Sequence, residues 1–139
     1  MILQPRPRVV LSGSFHRDSK ALRKLFKELE TNGCRILAPL SIDFINTNDE
    51  FIRAGSDVDY SVEELERAHL RAIKEADLVW LHAPDGYVGL SAAFELGVAY
   101  QLGKPLFSHQ KPQDPWLGQI VNQINSVFEA LYLLSAATD

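Results

Sequence analysis

The sequence predicts an α/β fold: one doubly wound domain of the flavodoxin or Rossmann kind, with a parallel sheet of four to five strands and helices on both faces. Three observations lead there. Short runs of β-branched and apolar residues alternate with longer stretches of helical period, and no tight hairpin signal joins consecutive strands. The run "DLVWLHA" at 77–83 is apolar without alternation, as a strand covered by helices on both sides must be. The chain has 139 residues, enough for one compact domain and too few for two of ordinary size, so 1–139 reads as a single unit. Its crossovers should be right-handed.

The first strand is Val9 to Leu11, entering a tight turn at Ser12-Gly13-Ser14. A helix follows from Ser19 to Glu30, because Ala21, Leu22, Leu25, Phe26 and Leu29 share one face while Lys20, Arg23, Lys24, Lys27 and Glu28 stay outside; Asn32-Gly33 stops it. "CRILAPL" is a second strand ended by Pro39. Residues 41–60 have no clean period and read as a functional connection, a lid with one helical turn near Asp49 to Arg53. Ser61 to Glu64 fits a capping box, and Leu65, Ala68, Ala72, Ile73 and Ala76 continue at helical spacing. The strand at 77–83 comes next, then a helix from Ser91 to Leu102 closed by Gly103, then the strand "KPLFS". In the last third, "IVNQI" is read as a fifth strand before a helix from Ser126, against the alternative of one long helix through Leu117, Ile124 and Leu131.

Apolar residues make up 46% and charged residues 23%, an ordinary globular balance, and no apolar run approaches the roughly 18 residues of a membrane span. The start "MILQPRPRVV" lacks the apolar core of a secretory signal, and Cys34, the single cysteine, has no intramolecular partner. A soluble, cytoplasmic protein is expected. A net charge of −4 without a dense Lys/Arg cluster argues against nucleic acid, though not against a small anion at a local site.

In such folds ligands collect at the carboxyl ends of the strands where the order reverses, which in a flavodoxin-like order lies between the first strand and the strand at 78–81. The loops leaving them, "SGSFHR" and "APDGYVGLSAAFE", should therefore meet. In the first, Ser12, Gly13, Ser14, Phe15, His16 and Arg17 bring backbone N–H groups, two hydroxyls and a cation between a strand and a helix, a combination that suits a phosphate. A plain turn with solvated basic residues is the other reading. In the second, "GYVGLSAAFELGVAYQLG" at 86–103 carries one charged side chain, Glu95, in a helix apolar nearly all round and expected to pack on the sheet. With Ser91 as N-cap, Glu95 falls in or near the first turn, where the helix terminus favours the anion by about 0.3–1 kcal/mol against desolvation. An ionised, poorly hydrated carboxylate suits attack on an electron-poor carbon such as the anomeric carbon of a sugar. The competing reading is a Glu that caps its own helix or pairs with an Arg.

Asp85 can act as a second carboxylate beside Glu95, or simply form a turn before Gly86. Tyr87 can stack on a planar ligand or simply pack in its loop. His82 reads as a satisfied core histidine. His16, His69, His82 and His109 show no zinc spacing, and "DVDY" at 57–60 lacks the rest of a calcium loop, so neither metal nor cofactor is expected.

"LSGSF", "ADLVWLHAP" and, above all, "FELGVAYQLGKP" within residues 8–108 resemble the nucleoside 2-deoxyribosyltransferase superfamily, which includes the 2'-deoxynucleoside 5'-phosphate N-hydrolases. The resemblance implies a five-stranded parallel sheet, a homodimer, and cleavage of an N-glycosidic bond by a Glu nucleophile. That Glu falls on Glu95, and the phosphate- or sugar-side loop on Gly13, Ser14 and their neighbours. Two positions depart: His69 stands where many members carry an Asp, and Gly89 where many carry Asp or Ser, with Ser91 available to take over a contact. His69, with an ordinary pKa of about 6.5, is a candidate general acid; the other reading is a structural histidine. The expected activity is hydrolysis of a nucleoside 5'-monophosphate; the alternatives are base exchange on nucleosides and a non-catalytic nucleotide sensor.

Overall fold

The computed structural model describes residues 6–40 and 60–137. The expected lid at 41–60 lies outside the described residues except for Tyr60. Five strands, β1 (Arg8–Gly13), β2 (Arg35–Ala38), β3 (Leu78–His82), β4 (Leu106–Ser108) and β5 (Asn122–Gln123), form one sheet in the order β2-β1-β3-β4-β5. Every pairing is parallel. This is the flavodoxin order expected from the sequence, with the reversal between β1 and β3. Among the described residues five α-helices pack around the sheet: α1 (Ser19–Thr31), α2 (Val62–Glu75), α3 (Leu90–Gln101), α4 (Pro115–Ile120) and α5 (Val127–Ala137).

The central strands are covered on both sides, and alternate residues serve opposite cores. Val9, Leu11, Leu78 and Trp80 pack with Leu22, Leu25 and Leu29 of α1 and Val127 and Ala130 of α5. Val10, Val79 and Leu81 pack instead with Ile73 of α2 and Ala92, Leu96 and Ala99 of α3. Two-sided burial is why these strands read as unbroken apolar runs. Cys34 belongs to the first core, where burial raises its thiol to about 11, an inert setting.

Local signals account for most boundaries. Ser61 caps α2 by accepting from the Glu64 N–H at 3.1 Å. Asn32 ends α1, followed by Gly33 at φ 82°. "IVNQI" does contain a strand, but only Asn122–Gln123, and α4 precedes it, capped by Asp114 at 2.9–3.0 Å from the N–H groups of Leu117 and Trp116. Among the described residues no helix is long and apolar enough to cross a membrane.

Gly13 fixes the meeting point of β1 and β3. It pairs with His82, has φ 144°, and a Cβ there would collide with the His82 carbonyl. Gly13→Ala is therefore expected to destabilise the fold by about 3 kcal/mol, from strained φ and overpacking together, read as a lowered urea midpoint at unchanged slope.

Candidate active site

A cleft of about 720 Å³ opens at the carboxyl ends of β1 and β3, within the range of small-ligand sites. Gly13 to Arg17 line it from the β1–α1 loop, Leu37 to Leu40 from the end of β2, Leu65, Glu66, Ala68 and His69 from α2, and Tyr87, Gly89, Ser91, Ala92 and Glu95 from α3 and the loop before it. The two loops expected to meet do so.

Glu95 is buried because of its helical phase. Ala92, Glu95, Leu96 and Ala99 form the sheet-facing stripe of α3, so the carboxylate replaces an apolar side chain at a core position and reaches the cleft floor. The opposite side of α3 departs from the sequence expectation: Leu90, Phe94 and Tyr100 are exposed, Leu90 at 89%. The N-cap differs too. α3 begins at Leu90 with Gly89 as cap, so Ser91 lies inside the first turn and Glu95 in the second, where the helix terminus acts weakly.

Side chains do the work assigned to the helix. His69 Nε2 lies 3.2 Å from Glu95 Oε1 and 3.0 Å from Ser12 Oγ, and Glu95 also hydrogen-bonds with Glu66 and Ser12. Since an ionised carboxylate only accepts, His69 presents Nε2–H to it and Ser12 its hydroxyl. Burial pushes the Glu95 carboxyl up, but the hydrogen bonds and charge of His69, with those from Glu66 and Ser12, hold it below the ordinary range. Burial likewise lowers His69, yet Glu95 and then Glu66 raise it above its usual value. At the cleft floor, therefore, His69 favours the ionised form of Glu95 and Glu95 the protonated form of His69, both against burial.

Glu66 escaped the sequence reading. Burial first, then the charge and hydrogen bond of Glu95, raise its carboxyl to about 7. Asp85, read as a turn residue or a second carboxylate, takes the turn: it is not among the cleft-lining residues and occupies the 3-10 turn Pro84–Gly86 at φ 57°, its N–H donating to Gln110. The place of a second carboxylate belongs to Glu66.

The 12–17 loop, expected to hold an anion, is also built differently from expectation. The Ser14 N–H donates to the His82 carbonyl and the Arg17 N–H to the Ser14 carbonyl, while the α1 terminus is capped by the Asp18 carboxylate. The Ser14 and Arg17 N–H groups are committed, so an anion would rely more on side chains than on these two. Arg17 offers its guanidinium, 3.6 Å from the Tyr87 ring centroid, a cation–π contact that ties the two loops. His82 Nε2–H donates to the Arg17 carbonyl at 2.8 Å, and burial holds its ring below the usual pKa, as befits a neutral, satisfied core histidine. Phe15 and Tyr87 supply aromatic faces within the cleft. Gly89 has room beside it: a Cβ would lie 3.6 Å from Ser14 Oγ. His109 is hydrogen-bonded to Glu28 and is not among the cleft-lining residues. Among the described residues no group of His, Cys, Asp or Glu is arranged to hold a metal ion.

No family model matches the chain, and no curated protein matches it. Among solved structures, it is similar to the CMP N-glycosidase BcmB of Clostridium botulinum, with a TM-score of 0.55 and 20% identity over 94% of this chain and 98% of that one. At that identity the likeness shows a shared fold.

Proposed function

We propose that this protein hydrolyses the N-glycosidic bond of a nucleoside 5'-monophosphate, with Glu95 as the nucleophile. The observation that carries the reading is Glu95 itself, buried at the floor of a nucleotide-sized cleft with His69 Nε2 3.2 Å from its carboxyl and Ser12 beside the pair. Attack of its carboxylate on the anomeric carbon, which develops oxocarbenium character, gives a glycosyl-enzyme and frees the base; water then releases the sugar phosphate. His69, whose Nε2 faces Glu95, serves as the group that keeps the nucleophile charged and oriented. Phe15 and Tyr87 hold the base by stacking, with Gly89 and Ser91 at the rim beside the sugar. Ser14, His16 and Arg17 hold the phosphate. The named activity of the structural neighbour, CMP N-glycosidase, belongs to the same reaction class. A nucleotide substrate agrees with a cytoplasmic location, and exposed Leu90 and Phe94 offer an apolar surface to the second copy of a homodimer.

A preference for monophosphates over nucleosides tests this reading. Hydrogen bonds to a charged group are worth about 1.5–3 kcal/mol, so Arg17→Ala should raise KM for a monophosphate by about 10- to 100-fold. KM for the matching nucleoside should move much less. Equal turnover of both substrates by the unaltered protein, insensitive to Arg17, would rule out the phosphate assignment.

A further inference from the structure

Glu66 is the carboxyl to which the proposed reaction gives no task, and its surroundings are unusual. It lines the cleft and also the shallower hollow beside it, formed with Val62, Leu90, Ser91 and Phe94. It lies against Glu95, and its Oε1 is shut from solvent with no donor facing it among the described residues. As a carboxylate it would present a buried, unsatisfied acceptor to another anion, whereas as a neutral carboxyl it donates to Glu95. Two carboxyls this close do not both ionise, and the proton belongs on Glu66 because Glu95 has His69 and Ser12 as further donors.

We propose that Glu66 is the acid–base catalyst of this glycosidase, protonating the departing base and then deprotonating the water that cleaves the glycosyl-enzyme. This rests on the reading of Glu95 as nucleophile. In the first step the Glu95 oxygen bonds to the anomeric carbon as the bond from carbon to base nitrogen breaks. That electron pair goes to the base, and the Glu66 carboxyl turns from Glu95 to give the base its proton. Glu95 is then a neutral ester, so of the two influences that raise Glu66 burial remains while the Glu95 charge is gone, and His69 still favours the carboxylate, which lowers Glu66 from its resting value and readies it to act as a base. In the second step water oxygen bonds to the anomeric carbon, its proton passes to Glu66, and the ester electron pair returns to Glu95. Each turnover restores both groups. His69 is poorly placed for this role, since its Nε2 already faces Glu95 and Ser12.

The charged groups around Glu66 are Glu95 from α3, His69 one turn along α2, and His16 and Arg17 across the cleft; Glu63 is turned outward to Arg67 at 3.0 Å. Burial first and then Glu95 raise the Glu66 carboxyl, to about 7, and His69 lowers it. A required proton on Glu66 makes kcat/KM fall as pH rises through about 7.

The test compares unaltered protein, Glu66→Gln and Glu66→Ala on nucleoside 5'-monophosphates and on 4-nitrophenyl β-D-ribofuranoside 5-phosphate, whose leaving group departs without a proton. Glu66→Gln should lose on the order of 10²-fold on the monophosphates and lack the alkaline limb near neutrality. On the aryl glycoside it should give a rapid stoichiometric burst of 4-nitrophenolate followed by slow turnover. Azide, a nucleophile that needs no base, should restore steady turnover to Glu66→Ala and yield the ribosyl azide. Glu66→Gln with the parent's rate and pH profile overturns the assignment while leaving Glu95 intact. Unaltered protein silent on every probe overturns the glycosidase reading and this one with it.

Discussion

Glu95→Gln is expected to lower base release by on the order of 10⁴-fold or more, with the fold retained. The amide matches the carboxylate in shape, so the stripe of Ala92, Leu96 and Ala99 keeps its packing, but it has no anionic oxygen to bond the anomeric carbon. Some stability should also go, and its pH dependence has a definite sign. A carboxyl held below its ordinary range contributes stability that is present above that range and lost as pH falls through the lowered value. The deficit of Glu95→Gln against the parent in urea should therefore be largest near neutral pH and shrink in acid. A loss of activity that merely tracked the unfolded fraction would make Glu95 a structural residue.

His69→Ala should produce the second-largest loss, on the order of 10²- to 10³-fold in kcat at neutral pH, because orientation and charge at the nucleophile are both disturbed. Without His69, burial acts on Glu95 against fewer opposing donors, so its carboxyl rises. Since the reaction needs Glu95 ionised, the acid limb of the pH–rate profile should move to higher pH, and raising the pH should recover part of the activity. A general acid would behave otherwise: its removal would leave that limb in place and spare substrates with good leaving groups. For stability, a histidine raised by its partner contributes most below its unfolded value of about 6.5 and loses that contribution as pH rises through the folded one.

The fold was legible because two-sided burial writes apolar runs into β1 and β3, and because Ser61, Asn32 and Gly33 mark their helix ends. α4 was not, since six residues beginning at Pro115 are too short to show a period, and β5 is held by two residues whose side chains face outward. In the site, Glu95 stood out as a charge in an apolar helix. Glu66 did not, because Glu63, Glu64 and Arg67 around it look like a solvated face. A signal was available: Glu66 and His69 fall on the same side of α2 as Ile73, the buried residue of that helix, seven positions after Glu66. The α3 cap misled for a different reason, since Gly89 supplies extended backbone without a side-chain hydrogen bond while Ser91 has the better capping chemistry. Topology brought the 12–17 loop to the cleft, but sequence could not show that the Ser14 and Arg17 N–H groups were already bonded or that Asp18 closed the α1 terminus.

The most direct measurement is chromatographic detection of free base after incubation with ribo- and deoxyribonucleoside 5'-monophosphates and their nucleosides, with Glu95→Ala in parallel. The account predicts base and sugar phosphate from at least one monophosphate, and none from the variant. Base appearing only when a second base is supplied as acceptor would mean transfer instead of hydrolysis. Tight nucleotide binding with no base released would contradict the account and leave the cleft as a sensor.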